Sequence, residues 1–131
     1  MRLEARAAVH LDTSFLIRAL VDGSNEALAL RTWLRQGLTV AISTLAWGEF
    51  LCGPLSEEDA ALALRIVRAQ VPLGTEEATE AARLFNETGR RRSSFQDCLV
   101  AATALTAVAE LATADRSDFV RFEECGLKLA G

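Results

Sequence analysis

The sequence predicts an α/β fold, a parallel sheet with helices over both faces, on three observations. Short runs of β-branched and apolar residues alternate with stretches whose apolar residues recur at helical spacing. No repeat, low-complexity tract or linker interrupts that alternation over 131 residues, so residues 1–131 read as a single domain. Half of the residues are hydrophobic and 24% are charged, the profile of a compact globule with a core of its own.

Taken in order, "AAVHL" (7–11) reads as a short buried strand, and "DTSFLIRALVD" opens a helix with residues suited to its start. "SNEALALRTWLRQG" predicts a second helix, with Leu30, Trp33 and Leu34 on one face and Gly37 as its stop. "LTVAIS" (38–43) is β-branched and predicts the second strand. "TLAWGEFLCGP" follows as a short helix closed by Gly53 and Pro54. "SEEDAALALRIVRAQ" begins with a capping pattern, Ser56 with Asp59, and reads as helical through Gln70, with "VPLG" no more than a minor strand or connector. "TEEATEAARLFNETG" places acids in the first turn of the next helix, where the helix dipole favours them. "SSFQDCLVAATAL" predicts a buried helix, "ELATA" (110–114) a strand, "DRSDFVRFEECG" a turn with a short helix, and "LKLA" a last strand.

Composition narrows the function classes. A formal charge of −4 excludes a surface that is basic all over, so any nucleic-acid site must be a local basic patch or carry bound cations. Three cysteines, Cys52, Cys98 and Cys125, lack a CxxC pair and suit reduced, mostly buried thiols. The start shows no apolar secretory segment, and the longest apolar run, Cys98 to Ala109, falls short of the ~18 residues a membrane span needs. The expectation is a soluble, cytoplasmic protein with no membrane partner.

Four acids stand out by position. Asp12 directly follows the first strand and Asp115 the fourth; Asp97 lies in the first turns of a helix, and Glu49 on the helix after the second strand. Strand exits and helix starts share one edge of a parallel sheet, where open α/β folds build their sites. Each acid also has an ordinary role: Asp12 as a helix cap, Asp97 as a first-turn charge, Asp115 and Asp118 as turn residues, Glu49 on a solvated helix face. No glycine-rich phosphate loop and no nucleophile elbow is present, and the one histidine, His10, falls within a strand and reads as structural.

"LDTSFLIRAL", "ISTLAWGEFLCG", "DCLVAATAL" and "LATADRSDF" come in the order and spacing of the PIN-domain ribonucleases, and the chain resembles the VapC-type toxins of toxin–antitoxin pairs. The likeness runs from about Val9 to Phe119, and "DCLVAATAL" with "T-x-D-x-x-D-F" is its more specific part. It implies a three-layer α/β/α sandwich with a mainly parallel central sheet, and metal-dependent cleavage of RNA at an acidic cluster. It also implies a cognate antitoxin that blocks the site, and a homodimer or larger toxin–antitoxin assembly. Position by position, the resemblance assigns the family's acids to Asp12, Glu49, Asp97 and Asp115, with Asp118 an additional one. Thr113 and Ser14 fall on hydroxyl positions that orient carboxylates or a metal-bound water.

Physical chemistry asks the same of such a cluster. Like charges about 5 Å apart cost roughly 3 kcal/mol per pair at an effective dielectric of ~20. Several pairs approach the ~5–15 kcal/mol that stabilises a whole domain, so protons, cations or a partner's positive charge must offset them. All-oxygen ligation favours Mg²⁺ or Mn²⁺. The expected chemistry is hydrolysis by an activated water, leaving a 5′-phosphate and a 3′-hydroxyl. "GRRRSS" supplies Arg90, Arg91 and Arg92, which read either as a solvated loop or as a clamp on RNA phosphates beside the site. Two rival readings stand beside the nuclease: a PIN fold serving as an interaction scaffold, and an Mg²⁺-dependent phosphoacceptor module. The latter is disfavoured because the only lysine, Lys128, lies after the last helix.

Overall fold

A computed structural model describes residues 8–91 and 94–131. Strand β1 (Ala8–Leu11) lies at the centre of a four-stranded, all-parallel sheet, between β2 (Thr39–Ser43) and β4 (Glu110–Ala112), with β3 (Ala69–Val71) outside β2. The order β3-β2-β1-β4 means that the chain winds outward from β1 on one side, then returns to lay β4 on the other. The point where the winding reverses is therefore the seam between β1 and β4. Leu11 is in register with Ile42 of β2 and with Ala112 of β4, so these three strands end at one level.

Helices cover both faces. Successive strand side chains point to opposite sides, yet Val9, His10 and Leu11 are all buried, as are Val40 to Ser43. The helices are α1 (Thr13–Ala19), α2 (Asn25–Arg35), α3 (Thr44–Leu51), α4 (Glu57–Ile66), α5 (Thr75–Glu87), α6 (Phe95–Thr106) and α7 (Arg116–Phe119), which runs into a 3-10 turn over Val120–Cys125. Ser24, Ser43 and Ser56 cap α2, α3 and α4 by accepting from the backbone N–H three residues on. The three-layer α/β/α sandwich with a parallel sheet is the architecture observed. Among the described residues no helix is long and apolar enough to cross a membrane.

Local expectations changed in several places. Helix α4 stops at Ile66 rather than Gln70, because Val67 turns extended into the core and the Arg68 N–H donates to the Val40 carbonyl. Ala69 and Gln70 then become strand β3, paired with Ala41 and Ile42. The last predicted strand shrinks to one parallel bridge, Leu129 against Leu111. Strand β4 ends at Ala112, short of Ala114, because the Thr113 side chain bonds across the seam. Leu34 leaves the face shared by Leu30 and Trp33 and is exposed; Trp33 stacks on Phe15. Of the thiols only Cys98 is buried; Cys52 is exposed and Cys125 half-buried, and all three are free.

Candidate active site

Asp12 extends β1 by one residue, its N–H donating to the Ala112 carbonyl at 2.9 Å. Its backbone takes the helix-cap conformation before α1, but its carboxylate makes no capping bond. Instead Oδ2 accepts from Ser14 Oγ at 2.8 Å and from Thr113 Oγ1 at 3.0 Å. Each hydroxyl also accepts a backbone N–H from the loop after β4, Ala114 onto Ser14 at 3.1 Å and Asp115 onto Thr113 at 3.0 Å. A hydroxyl has one proton, and here both are spent on Asp12. The two side chains thus lace β1 to the β4 exit across the seam and leave Asp12 Oδ1 without a hydroxyl partner. Burial pushes the Asp12 carboxyl above its ordinary range, while the Ser14 and Thr113 bonds pull it back.

Asp97 enters from the first turn of α6 and is half-buried. Its pKa rises from 3.8 to about 6, chiefly by desolvation and then by the Asp118 charge; Arg121 opposes, and Asp12 and Glu49 add to the rise. Glu49 stands on α3 beside Thr13, whose hydroxyl lies 3.2 Å from Oε1 but only 2.8 Å from the Ala46 carbonyl. With one proton to give, Thr13 donates to the nearer oxygen, so Glu49 is loosely held. Asp115 precedes α7 and Asp118 lies within it, both exposed.

These five carboxylates, from four separate stretches of chain, line one open concavity of about 380 Å³ with Thr13, Ser14, Ile17 and Phe119. No lysine, arginine or histidine lines it among the described residues. A second cavity, of about 400 Å³, opens at the opposite edge of the sheet between Val9, Leu38 and Leu105; it is mainly apolar and has only Glu110 and Lys128 for chemistry. The acidic concavity is the candidate.

Its donor set suits a hard cation: oxygen throughout, no thiolate or imidazole, and two carboxyls held above their normal range by burial and mutual repulsion. As the side chains stand, no three carboxylate, imidazole or thiolate groups among the described residues form a closed cage.

Arg90 and Arg91 are exposed, and neither lines the concavity; Arg92 lies outside the described residues. One residue near the site was not anticipated. Arg121, on the 3-10 turn, brings Nη2 to 3.8 Å from Asp97 Oδ2. Its signal in the sequence is faint: a basic residue three positions after Asp118, on the same helical face.

Comparison with solved structures gives fold matches over nearly the whole chain. The VapBC2 complex of Rickettsia felis, bound to a promoter DNA fragment, contains a chain 18% identical with a TM-score of 0.73, covering 94% of this chain and 97% of that one. FitAcB of Neisseria gonorrhoeae matches at 19% identity and TM-score 0.68, covering 94% and 96%. A toxin–antitoxin complex of Klebsiella pneumoniae matches at 25% identity and TM-score 0.70, covering 86% and 90%. Among curated proteins there is no significant sequence match. The PIN domain profile matches residues 9–124, a span that contains all five acids and both hydroxyls described above, and the chain belongs to the PIN domain family.

Proposed function

We propose that this protein is a metal-dependent endoribonuclease, the VapC-type toxin of a toxin–antitoxin pair. The observation that carries the reading is the convergence of Asp12, Glu49, Asp97, Asp115 and Asp118, scattered along the sequence, on one concavity at the end of the β1–β4 seam. The toxin–antitoxin complexes among the structural matches support it, and support an antitoxin as partner; the assembly proposed with it is a homodimer or a larger toxin–antitoxin complex.

Asp12, Asp97 and Asp115 would hold Mg²⁺ or Mn²⁺, with Glu49 completing the set directly or through water and Asp118 at the rim. Bound there, the cation would polarise the scissile phosphate and acidify the attacking water. The chain's own share is positioning. Ser14 and Thr113 fix the Asp12 carboxylate by one oxygen, leaving the other for a ligand. Thr113 also grips the Asp115 N–H, tying the loop that carries a second acid to the first. Asp97, on the first turn of a twelve-residue helix whose middle, Val100 to Ala104, is buried, is set by a rigid element. Its raised proton affinity marks an anion that gains from a cation.

The test is RNA cleavage by purified protein with Mg²⁺ or Mn²⁺, against excess chelator and against Asp97→Asn. Cleavage to 5′-phosphate ends, lost in chelator and down by at least ~10²-fold in the variant, is expected. Undiminished cutting in chelator would sink the metal reading, and a protein that never cuts RNA would return the fold to its scaffold or phosphoacceptor alternatives.

A further inference from the structure

Arg121 is a largely buried cation whose best hydrogen-bonding edge meets no oxygen acceptor among the described residues and faces only the Cys98 thiol next to Asp97. Its side chain is only 16% exposed. The guanidinium carbon sits 4.3 Å from the Phe122 ring centroid, and Nη1 donates to the Asp118 carbonyl. The other edge, Nε with Nη2, is the parallel pair that forms two-pronged bonds to carboxylates. Both atoms are shut off from water and have no hydrogen-bond partner among the described residues. The nearest acid is Asp97, with Oδ2 at 3.8 Å from Nη2.

Two roles compete for such a group, contact with an RNA phosphate or pairing inside the protein. The free edge cannot reach an incoming phosphate, because the protein already covers both nitrogens. It can reach Asp97, since a small rotation of that half-buried carboxylate closes the gap. Burying an unpaired guanidinium is costly, and burying it beside an acid that lies among four others offsets both problems.

We propose that Arg121 is the built-in counter-ion of the acidic concavity: its free edge takes up Asp97 in the metal-free protein, and its charge thereby limits how tightly a divalent cation is held. The first half stands on geometry alone; the second rests on the metal reading above. Arg121 is a positioning residue, acting through Asp97 and not on substrate.

Two measurements on the full chain test it. In chelator, a double-mutant cycle compares Arg121→Gln in the wild-type and the Asp97→Asn backgrounds by chemical denaturation. A loss in the folding equilibrium of roughly tenfold or more in the first, and under about threefold in the second, is expected for a coupled pair. Equal losses in both overturn the pairing. By calorimetric titration with Mn²⁺ alone, Arg121→Gln should bind roughly tenfold more tightly than wild type, while Arg121→Lys, which keeps the charge, stays within about threefold of it. Unchanged or weaker binding in Arg121→Gln overturns the counter-ion role, and if that variant does not fold, a tightened affinity in Arg121→Lys does the same. A wild type that binds no Mn²⁺ overturns the metal reading instead, and the cycle in chelator still decides the pairing.

Discussion

Asp12 and Asp97 are both acids held above their ordinary pKa, but for different uses of the same physics. Asp12 is buried and compensated by two hydroxyls; Asp97 is less buried, and desolvation first, then its neighbours' charges, bring it to about 6. A carboxyl whose folded pKa exceeds its unfolded value penalises folding when ionised. That penalty is fully present above about pH 6 and is relieved as pH falls toward 4. With Arg121→Gln already in place, so that the carboxylate has no counter-ion, Asp97→Asn is therefore expected to stabilise the metal-free protein at pH 7.5, with the advantage fading by pH 4.5, as read by denaturation in chelator. Mn²⁺ binding should weaken as pH falls through about 6, because the proton and the cation compete for one carboxylate. Thr113→Val keeps the shape but removes the donor to Asp12 and the acceptor for Asp115. It should cost about 1–3 kcal/mol of stability and roughly 10–100-fold in Mn²⁺ affinity, by denaturation and titration.

Elements explain how side chains so far apart come to one place. Strand β1 is buried on both faces, so its polar member, His10, is carried into the core, where Nδ1 has no partner among the described residues. Burial lowers its pKa to about 4, leaving the imidazole neutral. The unfolded chain takes up that proton from the ordinary imidazole value of 6.5 downward, so His10 erodes stability as pH falls from there toward 4. His10→Val, β-branched and without the orphaned nitrogen, should flatten that part of the stability–pH curve. A slope unchanged from wild type would show that other groups set it. Helix α6 does the complementary job: Ala101, Ala102 and Ala104 are fully buried, which lets the helix lie close in the core and holds Asp97 at its start.

At the scale of the molecule, the acids are concentrated at the carboxyl edge of the sheet, so their repulsion is a property of the native state that unfolding relieves. A cation that binds only the native state must raise stability. At a Mn²⁺ concentration about 100 times its dissociation constant the gain is ~2.7 kcal/mol, visible as a rise in melting temperature that chelator reverses. No rise at saturating Mn²⁺ would remove the thermodynamic basis for the metal site. The basic loop belongs to this scale as well. Since Arg90 and Arg91 are exposed and away from the concavity, a role in RNA binding would be long-range. Their replacement should lower the salt dependence of RNA affinity without changing Mn²⁺ affinity.

Periodicity and local chemistry were enough to establish the alternation of strands and helices, the Ser56 cap, and the positions of Asp12, Glu49, Asp97 and Asp115 next to strand exits and helix starts, because these depend on neighbours a few residues away. Strand β3 and the curtailed last strand were not legible, because Ala69, Gln70 and Leu129 have no strong intrinsic preference and take extended form only against a strand already in place. Which hydroxyls would hold Asp12, how far burial would raise Asp97, and that Arg121 would stand behind it were decided only by tertiary structure. Each depends on groups up to 101 residues apart in sequence, as Thr113 is from Asp12, and on how much water the packed chain leaves between them.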